Sequence, residues 1–335
     1  MRRVTPSAAQ PHNQGKAYMN PTAAMQQMSE PTTNQRSFQL IGELINNSYA
    51  RARRAWNKRD VEGYQRLAKL QTDLGASYLT VNLDGTQKLR VRPEEMIEFA
   101  PQVVPAMQEV SSLPLAFDNP WIEFHRVCLE HYDPAKSGPA IFNSLAASRE
   151  DLDGMLQLIK RYDTHVIVMA SEKFVASGGA QCFSPDEVYQ TTKQFVDILA
   201  DKADRTTDQI FVDPGLAPVA ADTYGLVNMG LDAIRMIRED PYLAGVHISV
   251  GLTNFSFGVP QHIREGLENA YITLALEAGL DTILGNPEKD LGPLEEDDRF
   301  VEVVRQSLEE GRPGEGESQE EAGFRQSARI MDLYR

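Results

Sequence analysis

The chain has few cysteines, no long apolar run and no excess of positive charge. Its 335 residues include 2 cysteines, Cys128 and Cys182, which are too few for a disulfide framework and do not form a CxxC pair. No apolar run approaches the ~18 residues that a membrane-spanning helix needs. A formal net charge of −15 argues against nucleic acids and anionic membranes as partners. We therefore expect a cytoplasmic protein.

The two ends of the chain differ in composition from its middle. Residues 1–36 are rich in Ser, Thr, Pro, Gln and Asn, which predicts a flexible extension. Residues 311–335 begin with a Gly- and Glu-rich stretch without core-forming residues, which predicts an acidic, partly disordered tail with a short helix in 324–335. The middle segment, residues 37–310, is long enough for one barrel of ~250 residues.

Eight short apolar runs divide the middle segment, and helical patterns fill most of the gaps. Their spacing of about 25 to 45 residues is typical of repeated βα units. No GxGxxG or GxxxxGK[ST] fingerprint follows any run, which disfavours a doubly wound open sheet. The predicted fold is therefore a closed (β/α)₈ TIM barrel. Its strands are expected at residues 39–42, 78–82, 114–118, 140–143, 165–170, 209–213, 246–253 and 282–284.

Four of these runs end on an Asp or Asn. Asp118, Asn143 and Asp213 end the third, fourth and sixth runs, and Asn254 follows the seventh. Each residue alone is also typical of a loop start or a helix N-cap. The C-terminal ends of barrel strands meet at one face, where functional residues lie. We therefore expect the four side chains to converge on one pocket.

The seventh run alternates between large apolar and small or polar residues. Val246, Ile248, Val250 and Leu252 would face the helices, while His247, Ser249, Gly251 and Thr253 would face the barrel axis. Small inward residues leave room for a ligand. His247 is predicted to be a hydrogen-bonded core histidine rather than a catalytic group.

Several short motifs at the strand ends resemble a known family. The motifs are IGELIN at 41–46, VN at 81–82, FD at 117–118, IFNS at 141–144, FVDP at 211–214, GLTNFS at 251–256 and AGLD at 278–281. Their order and positions resemble the pterin-binding barrels, and among these the methyltetrahydrofolate:corrinoid/iron-sulfur protein methyltransferases.

The resemblance implies a methyltransferase that moves a methyl group between N5 of tetrahydrofolate and the cobalt of a corrinoid carried on a partner protein. It also implies a homodimer and no directly bound metal. Asn254 would act at N5 as the catalytic residue. The implied pterin-binding residues are Asp118, Asn143, Asp213, Asn254, Ser256, Glu43, Asn82 and Arg264. The direction of transfer stays open.

A carboxylate can accept hydrogen bonds from the adjacent N–H donors of a pterin, and an amide can both donate and accept. Two other functions use the same barrel. A dihydropteroate synthase-like enzyme would resemble a pattern with Lys on the seventh strand and Arg-x-His on the eighth, where this chain has Asn254 and LGN at 284–286. A non-catalytic folate-binding barrel is left open by Leu44 and Thr80, which depart from the methyltransferase pattern.

Overall fold

Eight parallel strands close into a barrel in the computed structural model, which describes residues 36–334. The predicted (β/α)₈ barrel is therefore confirmed, and all eight expected strands are present. They pair in the order β1-β10-β9-β8-β5-β4-β3-β2 and back to β1. Their bounds are β1 Gln39–Gly42, β2 Tyr78–Val81, β3 Leu115–Asp118, β4 Ile141–Leu145, β5 His165–Met169, β8 Ile210–Asp213, β9 His247–Gly251 and β10 Thr282–Gly285. The predicted N-terminal extension lies outside the described residues, apart from Arg36.

Helices surround the barrel. They are α1 Ala50–Lys58, α2 Val61–Asp73, α3 Pro93–Gln108, α4 Ile122–Glu130, α5 Pro134–Ser137, α6 Leu152–Tyr162, α7 Pro185–Ala203, α8 Leu226–Glu239, α9 Arg264–Ala278, α10 Arg299–Glu310 and α11 Gln319–Ile330. Short 3₁₀ turns occupy Thr207–Gln209, Val219–Ala221, Pro241–Leu243, Leu252–Asn254, Gln261–Ile263 and Met331–Tyr334. No helix within residues 36–334 is long and apolar enough to cross a membrane.

The strands are buried on both faces, which explains why they read as continuous apolar runs. One set of side chains fills the barrel interior, and it consists of Ile41, Ala116, Ile141, Ile167 and Phe211. The opposite faces pack against the helices, as predicted for Val246, Ile248, Val250 and Leu252 on the seventh strand. His247 stacks on Phe211 with ring centroids 4.7 Å apart and hydrogen-bonds Asp281 through Nδ1. It is thus hydrogen-bonded, as the sequence predicts, but its side chain is 26% exposed and not fully buried in the core.

A two-stranded hairpin follows the fifth barrel strand and was not expected from the sequence. It consists of β6 Glu172–Val175 and β7 Gly178–Gln181, paired antiparallel. The turn contains Gly178 with φ +116°, a conformation that L side chains rarely adopt. The hairpin places Glu172 and Gln181 at the mouth of the barrel, where both line the candidate site.

The C-terminal segment differs from the expected tail. Helix α11 begins at Gln319, because the Ser318 hydroxyl accepts a hydrogen bond from the backbone N–H of Glu321 and the Glu321 carboxylate accepts one from the backbone N–H of Ser318. The helix lies against α10, and Ile330 is fully buried. Residues 36–334 belong to one compact unit, so α11 is part of the barrel body. Its polar composition reflects an amphipathic helix with one buried face.

Ile330→Ala is expected to destabilise the protein by about 2–5 kcal/mol, because it removes a fully buried side chain and leaves a cavity. Phe324→Ala, on the same helix, is the control. Since Phe324 is 59% exposed, its loss should change the free energy of unfolding by less than about 0.5 kcal/mol. Urea denaturation of the three proteins measures the difference. Equal stability of all three would contradict the docking of α11.

Candidate functional site

A cavity of about 530 Å³ lies at the C-terminal end of the barrel strands. Asp118, Asn143, Asp213 and Asn254 all line it, so the structure brings together the four residues that end or follow their strands. Its apolar lining comes from interior barrel residues and from strand ends, including Ile41, Ile167, Met169, Val250 and Leu284. Polar groups at the edge of an apolar floor suit a flat heterocycle, since the ring faces need apolar contact and the ring edges need hydrogen bonds.

Asp118 is fixed by a neighbour from the second strand. Asn82 donates a hydrogen bond from Nδ2 to Asp118 Oδ2 at 3.0 Å. Burial raises the pKa of the Asp118 carboxyl and Asp84 adds to the rise, while the Asn82 hydrogen bond and Arg149 oppose it. Asn82 therefore orients the carboxylate and does not line the cavity itself.

Asp213 ends β8 and is the most perturbed carboxyl of the cavity. Its Oδ1 accepts a hydrogen bond from the Gly215 backbone at 2.8 Å, which fixes the side chain in a local turn. Burial raises the pKa of Asp213 to about 6, although the Gly215 bond acts in the opposite direction. The carboxyl thus takes up its proton at a higher pH than an ordinary aspartate. A ligand that donates hydrogen bonds to the carboxylate would favour the ionised form.

The two amides, Asn143 and Asn254, point into the cavity without being used elsewhere. Neither side chain forms a hydrogen bond with another group of residues 36–334. Asn254 lies at the end of the 3₁₀ turn that follows β9. Its Nδ2 would lie 3.1 Å from a Cβ at position 251, so Gly251 allows this close approach. Both amides are available to a ligand.

Sequence reasoning missed a second group of cavity residues on the neighbouring loops. Arg149 follows β4 and donates from Nε to the Ser144 carbonyl at 3.1 Å and from Nη2 to Ser144 Oγ at 3.2 Å. Burial lowers the pKa of Arg149, and Glu172 and Asp118 oppose that shift. Glu172 and Gln181 come from the hairpin and also line the cavity. The two-residue turn of this hairpin, Ala176-Ser177, is not a dipeptide typical of hairpin turns, so no clear signal for the hairpin was available in the sequence.

Besides Asn82, three predicted pterin contacts lie elsewhere. Glu43 is buried beside Tyr49, whose hydroxyl donates to Glu43 Oε1. Ser256 is buried and donates from Oγ to a glutamate of α9. Arg264 is exposed and donates from Nε to the Val259 carbonyl at 3.0 Å. None of the three lines the cavity, because each is engaged by protein groups at or beyond its wall.

A comparison with known families identifies the class of protein to which this chain belongs. A model of the pterin binding enzyme family matches residues 42–284, which is more than half of the chain. The chain belongs to this family of pterin-binding enzymes, and the resemblance noted in the sequence is confirmed.

Individual relatives are more distant. The chain is 25% identical over 250 residues to methylcorrinoid:tetrahydrofolate methyltransferase of Eubacterium limosum, covering 74% of this chain and 84% of that protein. It is 23% identical over 270 residues to methionine synthase of Mycobacterium leprae, covering 78% of this chain but 21% of that larger protein. The crystal structure of 7,8-dihydropteroate synthase from Vibrio fischeri matches with a TM-score of 0.54 at 14% identity, covering 83% of this chain and 95% of that chain. The last match concerns the fold alone.

Proposed function

We propose that this pterin-binding enzyme transfers a methyl group between N5 of tetrahydrofolate and a corrinoid carried on a partner protein. The observation that carries the proposal is the convergence of two carboxyl groups and two uncommitted amides on one cavity. The similarity to the methylcorrinoid:tetrahydrofolate methyltransferase of Eubacterium limosum supports the same assignment. Both directions of transfer need the same pocket.

The carboxyl groups would hold the pterin ring. Each has one oxygen committed to the protein, to Asn82 for Asp118 and to Gly215 for Asp213. The other oxygen of each accepts no hydrogen bond from the part of the chain described here. The 2-amino group and N3 of a pterin are adjacent N–H donors, which a carboxylate accepts as a charge-assisted pair. Asn143 has both a donor and an acceptor, and it would hydrogen-bond the rest of the ring edge, which presents both donors and acceptors.

Asn254 would act at N5. An amine nitrogen is a poor leaving group, so N5 must gain positive charge before its bond to the methyl carbon breaks. The amide oxygen of Asn254 can accept a hydrogen bond from protonated N5, which stabilises that charge without the amide itself titrating. The partner's corrinoid would supply the cobalt nucleophile that accepts the methyl group, and it would reach N5 through the mouth of the barrel.

A dihydropteroate synthase-like reaction fits the cavity less well. That reaction must bind a diphosphate leaving group, for which cationic side chains or helix N-termini are suited. On the β9 and β10 side of the cavity the lining residues are Ser249, Val250, Gly251, Asn254 and Leu284, and none is cationic. Arg149 lies on the opposite side, with Ser144 and Glu172. We therefore favour methyl transfer.

Purified protein incubated with methyltetrahydrofolate and cob(I)alamin is expected to form methylcobalamin, which absorption spectroscopy follows. Free cob(I)alamin stands in for the partner-bound corrinoid. Dihydropterin diphosphate with 4-aminobenzoate provides the comparison reaction. Dihydropteroate formation in that comparison would overturn the proposal. Folate binding without methyl transfer would instead identify a non-catalytic barrel.

A further inference from the structure

Two buried carboxyl groups lie beside the loop that carries Asn254. Glu43 directly follows β1 and is 5% exposed, and Glu268 lies on α9 and is 1% exposed. Tyr49, Ser256 and Lys289 surround them. These five residues are called the carboxyl cluster below, and residues 252–263, which follow β9, are called loop 7.

The cluster joins chain segments that are far apart in sequence. The Tyr49 hydroxyl, just before α1, donates to Glu43 Oε1. The Ser256 hydroxyl on loop 7 donates to Glu268 Oε1 at 2.6 Å. Lys289, on the loop after β10, donates to the other oxygen of Glu268. Loop 7 is thus tied to α9 and, through Lys289, to the loop after the last strand.

Loop 7 is held on both sides of Asn254. On the C-terminal side, Phe255 is fully buried and packs on Tyr271 of α9 with ring centroids 4.7 Å apart, next to the Ser256 bond. On the N-terminal side, Leu252 is 1% exposed and packs in the main hydrophobic core. The amide between these anchors has no other hydrogen bond to residues 36–334. Its position is therefore set by the loop.

We propose that Glu268 is a positioning residue that fixes loop 7 through its hydrogen bonds with Ser256 and Lys289 and thereby places Asn254 over the cavity. Glu268 is 1% exposed, so a hydrogen bond lost there leaves a buried polar group without its partner. The inference rests on the proposed function for its kinetic readout only. It also reassigns Ser256, which was expected to touch the pterin, because its hydroxyl is engaged inside the wall. Glu268 and Ser256 act through Asn254.

The experiment removes one partner of the Ser256–Glu268 hydrogen bond at a time. Ser256→Ala and Glu268→Gln are expected to increase amide hydrogen exchange of residues 252–263 about tenfold and to lower kcat about tenfold. The Kd for methyltetrahydrofolate should change less than about threefold. Glu265→Gln is the matched control, because Glu265 is exposed on the first turn of α9 and contacts no member of the cluster. Ser256→Ala deletes one hydroxyl and keeps the buried charges, so it tests the inference even where Glu268→Gln fails to fold.

The two proposals fail in distinguishable ways. Absence of methyl transfer with the expected exchange changes would refute the proposed function and leave the loop anchoring supported. Methyl transfer with unchanged exchange of residues 252–263 in Ser256→Ala and Glu268→Gln would refute the anchoring alone.

Discussion

Asn254→Ala is expected to lower kcat for methyl transfer by about 10²–10³-fold while changing the Kd for methyltetrahydrofolate less than about threefold. The amide lies at the cavity mouth and makes no hydrogen bond to other described residues, so its loss leaves no protein group unpaired. In the ground state N5 carries little charge, and the amide contributes little to binding. In the transition state the charge on N5 is at its largest, and the hydrogen bond is strongest.

Single-turnover kinetics with saturating methyltetrahydrofolate and cob(I)alamin measures the chemical step, and fluorescence or calorimetric titration measures Kd. Asn143→Ala is the matched comparison, because it removes the same functional group from another strand end of the same cavity. It should raise Kd by about tenfold, since a lost hydrogen bond to a bound ligand costs about 0.5–1.5 kcal/mol, and should change kcat little. A similar loss of affinity in both variants, without the kcat effect, would show that Asn254 is a binding residue.

The four strand-end residues were predictable because their meeting point follows from topology. Once eight βα units close into a barrel, the C-terminal ends of all strands lie at one face. No knowledge of individual side-chain contacts was needed to predict that four side chains meet at one cavity, namely those of Asp118, Asn143, Asp213 and Asn254. The same reasoning assigned the alternation of the seventh strand, because the two faces of a strand are fixed by a period of two residues.

The environment of Glu43 and Ser256 was not predictable in the same way. Both lie next to strand ends, so their sequence positions favour the cavity as much as those of Asp118 or Asn254. Their partners are Tyr49, just before α1, and Glu268 on α9, and the choice between cavity and wall depends on that tertiary packing. A buried polar group forms its hydrogen bonds with the partners that the tertiary packing places within reach.

The C-terminal helix shows a different limit. Its start was visible in the sequence, because Ser318 and Glu321 form a capping-box pair. Composition gave the opposite indication, since the preceding stretch is rich in Gly and Glu. Helix stability in proteins comes mainly from tertiary packing, here the burial of Ala322 and Ile330. For this segment the capping-box pair predicted the helix more reliably than the average polarity of the sequence did.

Asp213→Asn is expected to weaken binding of methyltetrahydrofolate by about 10–100-fold, because a charge-assisted hydrogen bond contributes about 1.5–3 kcal/mol. In the wild type the binding should also depend on pH. Burial raises the pKa of Asp213 to about 6 in the free protein, and N–H donors of a bound pterin would stabilise the carboxylate and lower that pKa. Binding below pH 6 must then release a proton, so Kd should rise about tenfold for each pH unit below 6 and be constant above about 7.

Calorimetric titrations in buffers of different ionisation enthalpy measure both Kd and the number of protons released. The slope should disappear in Asp213→Asn, since the amide does not titrate. Asp118→Asn is the informative comparison, because Asp118 is also buried with a raised pKa and lines the same cavity, but is held by a side chain, Asn82, rather than by a backbone N–H. It should weaken binding and keep the slope near pH 6. The opposite outcome is a slope that survives in Asp213→Asn and vanishes in Asp118→Asn. In that case the proton released on pterin binding comes from Asp118 and not from Asp213.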